Sequence, residues 1–230
     1  TEGMLYFDTT TKKLLVYSNG KWQADRNQAI LVAAANSSQA DKEAADYVGD
    51  GDTGTANDGD QIQINAALTA AAVGRVYLFP GTYVADATIL IPNNTTLAGA
   101  GRGTDIELAD IDATDNLIEN SDTSTGTGIT IQDLRIDGRK DLNTAGIQNG
   151  IYLNGVGDGF SGRQGGLLTG LFANNFRNSG IQLDLSSNIT VSGSNAYSNA
   201  DGFHTGERGV DELQNNVQIV NHQIQDDIYI

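Results

Sequence analysis

A short phrase recurs late in the chain: a small or acidic residue, an apolar one, a free position, then a second apolar one. It reads Gly150-Ile151-Tyr152-Leu153, Gly180-Ile181-Gln182-Leu183, Gly202-Phe203-His204-Thr205 and Asp227-Ile228-Tyr229-Ile230, with Thr205 the weakest match. Gly180 to Gly202 is 22 residues and Phe203 to Ile228 is 25, each the length of one coil of a solenoid. The alternation makes each phrase a strand with one buried side. Strands this short cannot bury that side alone and must stack on their own repeats. Between them recur Asn174-Asn175-Phe176-Arg177-Asn178 and Asn195-Ala196-Tyr197-Ser198-Asn199. Asn at corners favours such a stack, because in-register amides hydrogen-bond along its axis. A β-sandwich would need the same similarity by chance. The chain from about Gly74 is therefore expected to form a right-handed parallel β-helix, within an all-β fold.

Two segments precede it. Residues 1–28 read as a small β-meander or connector: two β-rich runs, Met4–Asp8 and Leu14–Tyr17, then Asn19-Gly20 as a hairpin turn before Trp22. It has too little core to fold alone. Residues 29–73 are Ala-rich and read as a helical linker and N-terminal cap. One helix is expected from the N-cap candidates Ser37 and Ser38 to about Val48, and a second from Asp58 or Asp60 through Gln61–Ala72. In the second, Ile64, Leu68 and Ala71 share a face that requires a partner. Residues 74–230 carry the short strands, and a final strand at Ile228–Ile230 implies that the natural chain continues. A first residue that is Thr1 rather than Met implies a processed or excised form.

Composition narrows the partners. Thirteen Lys and Arg face 29 Asp and Glu, a formal charge of −16. That balance argues against nucleic acid and anionic lipid, and against a polyanionic ligand unless a local basic patch offsets it. There is no cysteine, hence no disulfide or thiolate site. No apolar run approaches the roughly 20 residues that span a bilayer.

The stretch Asp46-Tyr47-Val48, the Gly-Asp loop, the helix 61–72 and Gly74-Arg75-Val76-Tyr77-Leu78-Phe79-Pro80-Gly81-Thr82-Tyr83 resembles the opening coils of pectate-lyase-like right-handed β-helices. Asn93-Asn94-Thr95-Thr96-Leu97-Ala98-Gly99-Ala100-Gly101-Arg102-Gly103-Thr104 and Asp133-Leu134-Arg135-Ile136-Asp137-Gly138 extend the resemblance, which covers roughly residues 46–230. It implies a helix plugging the open end of the solenoid. Two branches are similar. Alginate C5-epimerase modules carry a Gly-x-x-x-Asp-Pro-His motif whose histidine transfers a proton. Here Gly180-Ile181-Gln182-Leu183-Asp184-Leu185-Ser186 keeps the Asp, while Leu185 and Ser186 replace Pro and His. Serine lacks the poised pKa of imidazole. Phage tailspike and tail-fibre proteins are the other branch, because 3–22 resembles a short β module common in such fibres.

Several constellations could carry chemistry. Asp184, Asp201 and His204, with Arg177 on the adjoining coil, would supply an acid–base pair, a general base and a cation for a sugar carboxylate if they converge; otherwise the two acids cap corners. Asp133 and Asp137 alternate along one strand and should share a face around Arg135, a groove to bind ligand, although Asp137-Gly138 is also a turn. Arg139, Lys140 and Asp141 extend that charge. Tyr152 and Tyr229 occupy repeated positions where aromatic rings could stack on sugars, or simply satisfy β-propensity. Asp50, Asp52, Asp58 and Asp60 have the acid density of a calcium loop but not EF-hand spacing. No cofactor is expected, calcium being the one ion that run would suit. Gly99–Thr104, with no helix after it, is a turn rather than a phosphate cradle.

The expectation is a virion, cell-surface or extracellular β-helix, tailspike- or adhesin-like, recognising a polysaccharide or surface glycan with little or no catalysis. It should assemble as a homotrimer or filament. The alternative is a polysaccharide lyase, epimerase or hydrolase acting on an acidic polysaccharide.

Overall fold

The computed structural model describes residues 4–8, 13–18, 21–24, 29–51, 58–109, 116–157, 164–199, 201–205, 218–220, 223–224 and 228–229. Asn19-Gly20, Asp52, Asp227 and Ile230 lie outside the described residues, as do the side chains of Trp22, Asp201, His204 and Tyr229.

The recurrent phrase is one ladder. Ile151 pairs with Ile181, Ile181 with Phe203 and Phe203 with Ile228, all parallel and in register. The ladder extends back through Ile118 to Ile89, which the repeat does not reveal. Those earlier steps are 33 and 29 residues, so inserted residues lengthen the coils without disturbing the register. Two more parallel ladders complete a three-faced solenoid. Val76, Leu97, Ile131, Leu168, Val191 and Ile219 run down the first face. Tyr83, Ile106, Ile136, Ala173, Ala196 and Ile224 run down the second, and the Ile89 ladder is the third. From Val76 to Ala196 nearly every one of these inward side chains is fully buried. Each buried Ile or Leu contributes about 1.5–3 kcal/mol, and the outward alternate positions carry the polar residues.

Two strands, Thr96–Leu108 and Ile129–Asp137, turn a corner and supply both the first and second faces. Asp133, at φ +54°, makes the second of these corners. Asp133 and Asp137 therefore do not share a face. Asp133 is exposed at the bend, where it accepts from Gln132 Nε2 at 3.0 Å, and the register shifts beside it.

The first face begins before Gly74. Ile30–Ala33 pairs with Arg75–Leu78, and Tyr47–Val48 pairs with Ile30–Ala33 in turn. The helix expected to reach Val48 is only Gln39–Ala44 (α1). Ser38 caps it by accepting from Asp41 N, whereas Ser37 accepts from Ala34 N and donates to Pro80 O. Chain beyond Ala44 gains more from sheet pairing than from another helical turn, since Tyr and Val favour strands. The second helix, Gln61–Ala71 (α2), buries Ile64, Ala67 and Leu68 against the first coil. It is the plug its apolar face implied. Asp60, completely buried, gives its carboxylate to Gly51 N and Val84 N, so it ties the cap to the first coil.

The N-terminal strands Leu5–Asp8, Lys13–Ser18 and Lys21–Ala24 form a separate antiparallel sheet. Ser18 pairs with Lys21 around Asn19-Gly20, as the hairpin signal requires.

Asparagines do stack, though not where the sequence similarity aligned them. Asn149 Nδ2 donates to Asn116 Oδ1 at 2.7 Å, and Asn178 Nδ2 donates to Asn149 Oδ1 at 2.8 Å. The same oxygens accept from the backbone of the next coil, at Asn149 N and Ser179 N. Asn174 pairs with Tyr197 rather than with Asn195, and Asn199 accepts from Phe176 N. The coils differ in length, so matching by sequence alone slips the corners.

Candidate functional site

The second face carries its charge in a compact block. Its outward positions are Asp105 and Glu107 on one coil, Arg135 and Asp137 on the next, then Phe172 and Asn174. Strand alternation aims all six the same way, and parallel register sets the coils about 4.8 Å apart. Arg135 spreads its guanidinium across three partners: Asp105 at 2.7 Å, Asn174 Oδ1 at 3.2 Å, and Asp137. Asp137 is 5% exposed and fully engaged. Its Oδ2 also accepts from Asn174 at 2.8 Å, and its Oδ1 from Asn175 and from Arg139 N. The last of these makes Asp137-Gly138-Arg139 a turn, so both readings of Asp137 meet in one side chain. A Cβ on Gly138 would lie 2.5 Å from Phe176 Cδ1 and 2.6 Å from Asn175 O. Only glycine fits there.

From that turn the loop 138–149 rises beside the face. Asn143, completely buried, pins it through Nδ2 to Gly138 O. Loop and face enclose an open cleft of about 800 Å³, lined by Glu107, Asp137, Arg139, Lys140, Asp141, Asn175 and Arg177. Arg139 lies 3.7 Å from Glu107. Lys140 Nζ donates to Ser198 O, and Arg177 Nε to Gly146 O at 3.3 Å, with most of that arginine in solvent. Arg102 stacks over the Phe172 ring at 4.2 Å on the neighbouring corner. Asp105 lies under the cleft, 8% exposed. Burial, opposed by Arg135 and reinforced by Glu107 and Asp137, raises its carboxyl from 3.8 to about 6. Its Oδ1 is buried with no donor within reach among the described residues.

Of the residues grouped in the sequence as an acid–base cluster, Asp184, Asp201 and His204 fall on adjoining strands of the third face and Arg177 lies apart from them. Arg177 belongs to this cleft. Asp184 stands at the far end of Ser179–Asp184 on the third face, about 16 Å along the strand from Ser179. It is 5% exposed and accepts from Gln182 Nε2. His204 holds the register position of Gln182, and Asp201 holds that of Ser179. Ser186 is completely buried, accepting from Val156 N and donating toward Asp184 O and Leu153 O. Tyr152 and Tyr229 fall in one register column of the third face, with Gln182 and His204 between them. Among the described residues, no three His, Asp or Glu side chains are placed to hold a metal ion, and no helix is long and apolar enough to cross a membrane.

Asp105, Glu107 and Asn175 were not singled out from sequence. The available signal is the parallel phrasing of Asp105-Ile106-Glu107 and Arg135-Ile136-Asp137, two charged-apolar-charged triplets whose first positions are opposite in charge.

Ladders, corners and plug define a right-handed parallel β-helix. Solved structures with this fold include the A-module of mannuronan C-5 epimerase AlgE4 from Azotobacter vinelandii, 20% identical over 63% of this chain and 49% of that one, TM-score 0.51. The AlgE6 A-module of the same organism is 18% identical over 70% of this chain and 58% of that one, TM-score 0.49. ORF18 of Geobacillus virus E2 is 16% identical over 94% of this chain and 48% of that one, TM-score 0.50. The chain thus spans about half the length of the structures it matches. Neither a protein-family model nor a curated protein sequence matches it.

Proposed function

We propose that the chain is part of a surface or virion β-helix protein, tailspike- or adhesin-like, that holds an acidic saccharide in the second-face cleft and performs little or no catalysis. One observation carries this reading. Three of the 13 cations in a chain of net charge −16, Arg139, Lys140 and Arg177, line a single cleft. Glu107, Asp137 and Asp141 share the lining, but Asp137 is already paired with Arg135, and a gathering of cations is what an anionic ligand needs on an otherwise repelling surface. The guanidiniums offer forked donors to a carboxylate or sulfate. Asp137 is held at both oxygens, so it serves as scaffold rather than as a proton carrier. The solved structures with this fold include polysaccharide-modifying modules and a phage protein, which agrees with a glycan ligand. An extracellular or virion location and a homotrimeric or filamentous assembly are part of the same proposal.

The test is calorimetric titration with alginate, pectin and capsule oligosaccharides. Arg177→Ala should weaken the best of them about tenfold, the scale of one lost charge-assisted hydrogen bond. No binding across that panel would overturn the reading.

The lyase, epimerase or hydrolase alternative draws support from one arrangement: Gln182 bonds Asp184 and is the register partner of His204. It requires unsaturated, epimerised or shortened products that Asp184→Asn abolishes.

A further inference from the structure

Two acids on the cleft floor are paired more closely than their cations can serve. Asp105 and Glu107 are outward neighbours on Thr96–Leu108, two residues apart. Arg135, the cation beside Asp105, is shared with Asp137. Arg139 is the cation beside Glu107, at 3.7 Å and a third exposed. Among the described residues Asp105 Oδ1 has no donor in its buried position, yet it becomes a donor toward Glu107 as soon as it is protonated. Two adjacent carboxyls with one loosely held cation form a site that can share a proton.

We propose that an anion entering the cleft draws Arg139 away from Glu107, and that the Asp105–Glu107 pair answers by taking up a proton from solvent. This rests on the cleft being the binding site and adds its regulation: ligand and proton bind together. The reasoning is electrostatic. While Arg139 faces Glu107, it offsets that carboxylate's charge beside Asp105. Once Arg139 turns to the ligand, Glu107 is a bare negative charge beside a buried carboxyl, and the protonated form of the pair gains. Linkage makes the effect reciprocal, so a protonated pair frees Arg139 and favours the anion.

The surroundings leave the effect to this pair. The preceding coil, Gly81–Ala85, sets Thr82 beside Asp105 and Val84 beside Glu107, neither charged. The following coil contributes Arg135 and Asp137. Arg102, at the corner before Asp105, is stacked on Phe172. Among the described residues no histidine lines the cleft, whose other charged groups are Lys140, Asp141 and Arg177. Without ligand the Asp105 carboxyl titrates near 6, so uptake falls in an accessible range.

Two measurements test this. The first is calorimetry of oligogalacturonate binding at pH 6.5 in buffers of different ionisation enthalpy. About half a proton should be taken up per ligand, with affinity rising up to about tenfold from pH 8 to pH 5. Asp105→Asn should abolish the uptake while binding persists. Binding with no uptake, or uptake unchanged in Asp105→Asn, overturns the linkage and leaves the cleft reading standing. Absence of binding counts against the cleft reading, and the second measurement still decides the linkage. It is the carboxyl titration of Asp105 by carbon NMR in Arg139→Ala, which withdraws the cation without any ligand. The midpoint should rise by about one pH unit; an unmoved midpoint refutes the coupling.

Discussion

Replacing Asn149 by alanine should cost the fold more than any exposed polar substitution, because Asn149 is the middle rung of the amide stack. The side chain is 7% exposed and serves three bonds. It donates to Asn116 Oδ1 at 2.7 Å and accepts from Asn178 Nδ2 at 2.8 Å and from Ser179 N at 2.9 Å. Truncation does not injure these partners equally. Asn116 Oδ1 still accepts from Asn149 N, and Asn178 Nδ2 still donates to Gln182 Oε1. Ser179 is completely buried, so its N–H is orphaned where water cannot replace the bond. An orphaned buried donor costs about 1–3 kcal/mol and each half-compensated bond about 0.5–1 kcal/mol, together about 3 kcal/mol. The assay is urea unfolding followed by far-ultraviolet circular dichroism, with Gln39→Ala on the exposed side of α1 as control, expected within about 0.5 kcal/mol. Asn149→Asp separates the ladder from simple packing. It retains both accepting roles but sets an oxygen against Asn116 Oδ1, so its cost should shrink as pH falls and the carboxyl gains a proton to donate. A loss below about 1 kcal/mol in Asn149→Ala would show that the stack does not bind one coil to the next.

Stability should also fall as pH rises through the acid range. Asp105 binds its proton more tightly folded, near 6, than unfolded, near 3.8. Its contribution is therefore fully present below 3.8 and is lost as pH climbs through about 6, a change of about 3 kcal/mol. Asp105→Asn should flatten that part of a stability–pH profile, and a variant whose profile follows the parent would refute the assignment. Gly138→Ala should lower stability by about 2–3 kcal/mol by forcing Phe176 and the Asn175 carbonyl apart, an overpacking cost. It should weaken ligand binding as well, since the turn carries Arg139; unchanged melting and affinity would show that the turn yields without consequence.

The architecture was legible because it depends on periodicity. Alternation within strands and near-regular spacing between them follow from the need of each strand to bury one side, and both survive in a bare sequence. Ile151, Ile181, Phe203 and Ile228 therefore aligned correctly across four coils. The plug helix was legible for the same reason: the apolar face containing Ile64 and Leu68 had to go somewhere. The helix expected to run to Val48 failed because the strand preference of Tyr47 and Val48 spans only two residues and becomes decisive only where they meet Ile30–Ala33. Ile89 and Ile118 were not matched to the phrase because Thr88 and Leu117 stand where the later coils have Gly or Asp.

The site depended on contacts that no local pattern encodes. Asp133 and Asp137 looked like neighbours on one face until a single left-handed residue, Asp133 itself, turned the chain between them. Asp184, Asp201 and His204 do fall on adjoining strands of the third face, while Arg177, close to them in sequence, lines the second-face cleft, because a solenoid sends successive segments to different faces. What gathers Glu107, Asp137, Arg139, Lys140 and Arg177 is the register between coils about 30 residues apart. The sequence by itself determined that strands would stack and which side of each would be buried, since hydrophobic alternation is local. Only the tertiary structure decided which outward residues became neighbours, because corner geometry and coil length set the register, and register alone brings one charge beside another.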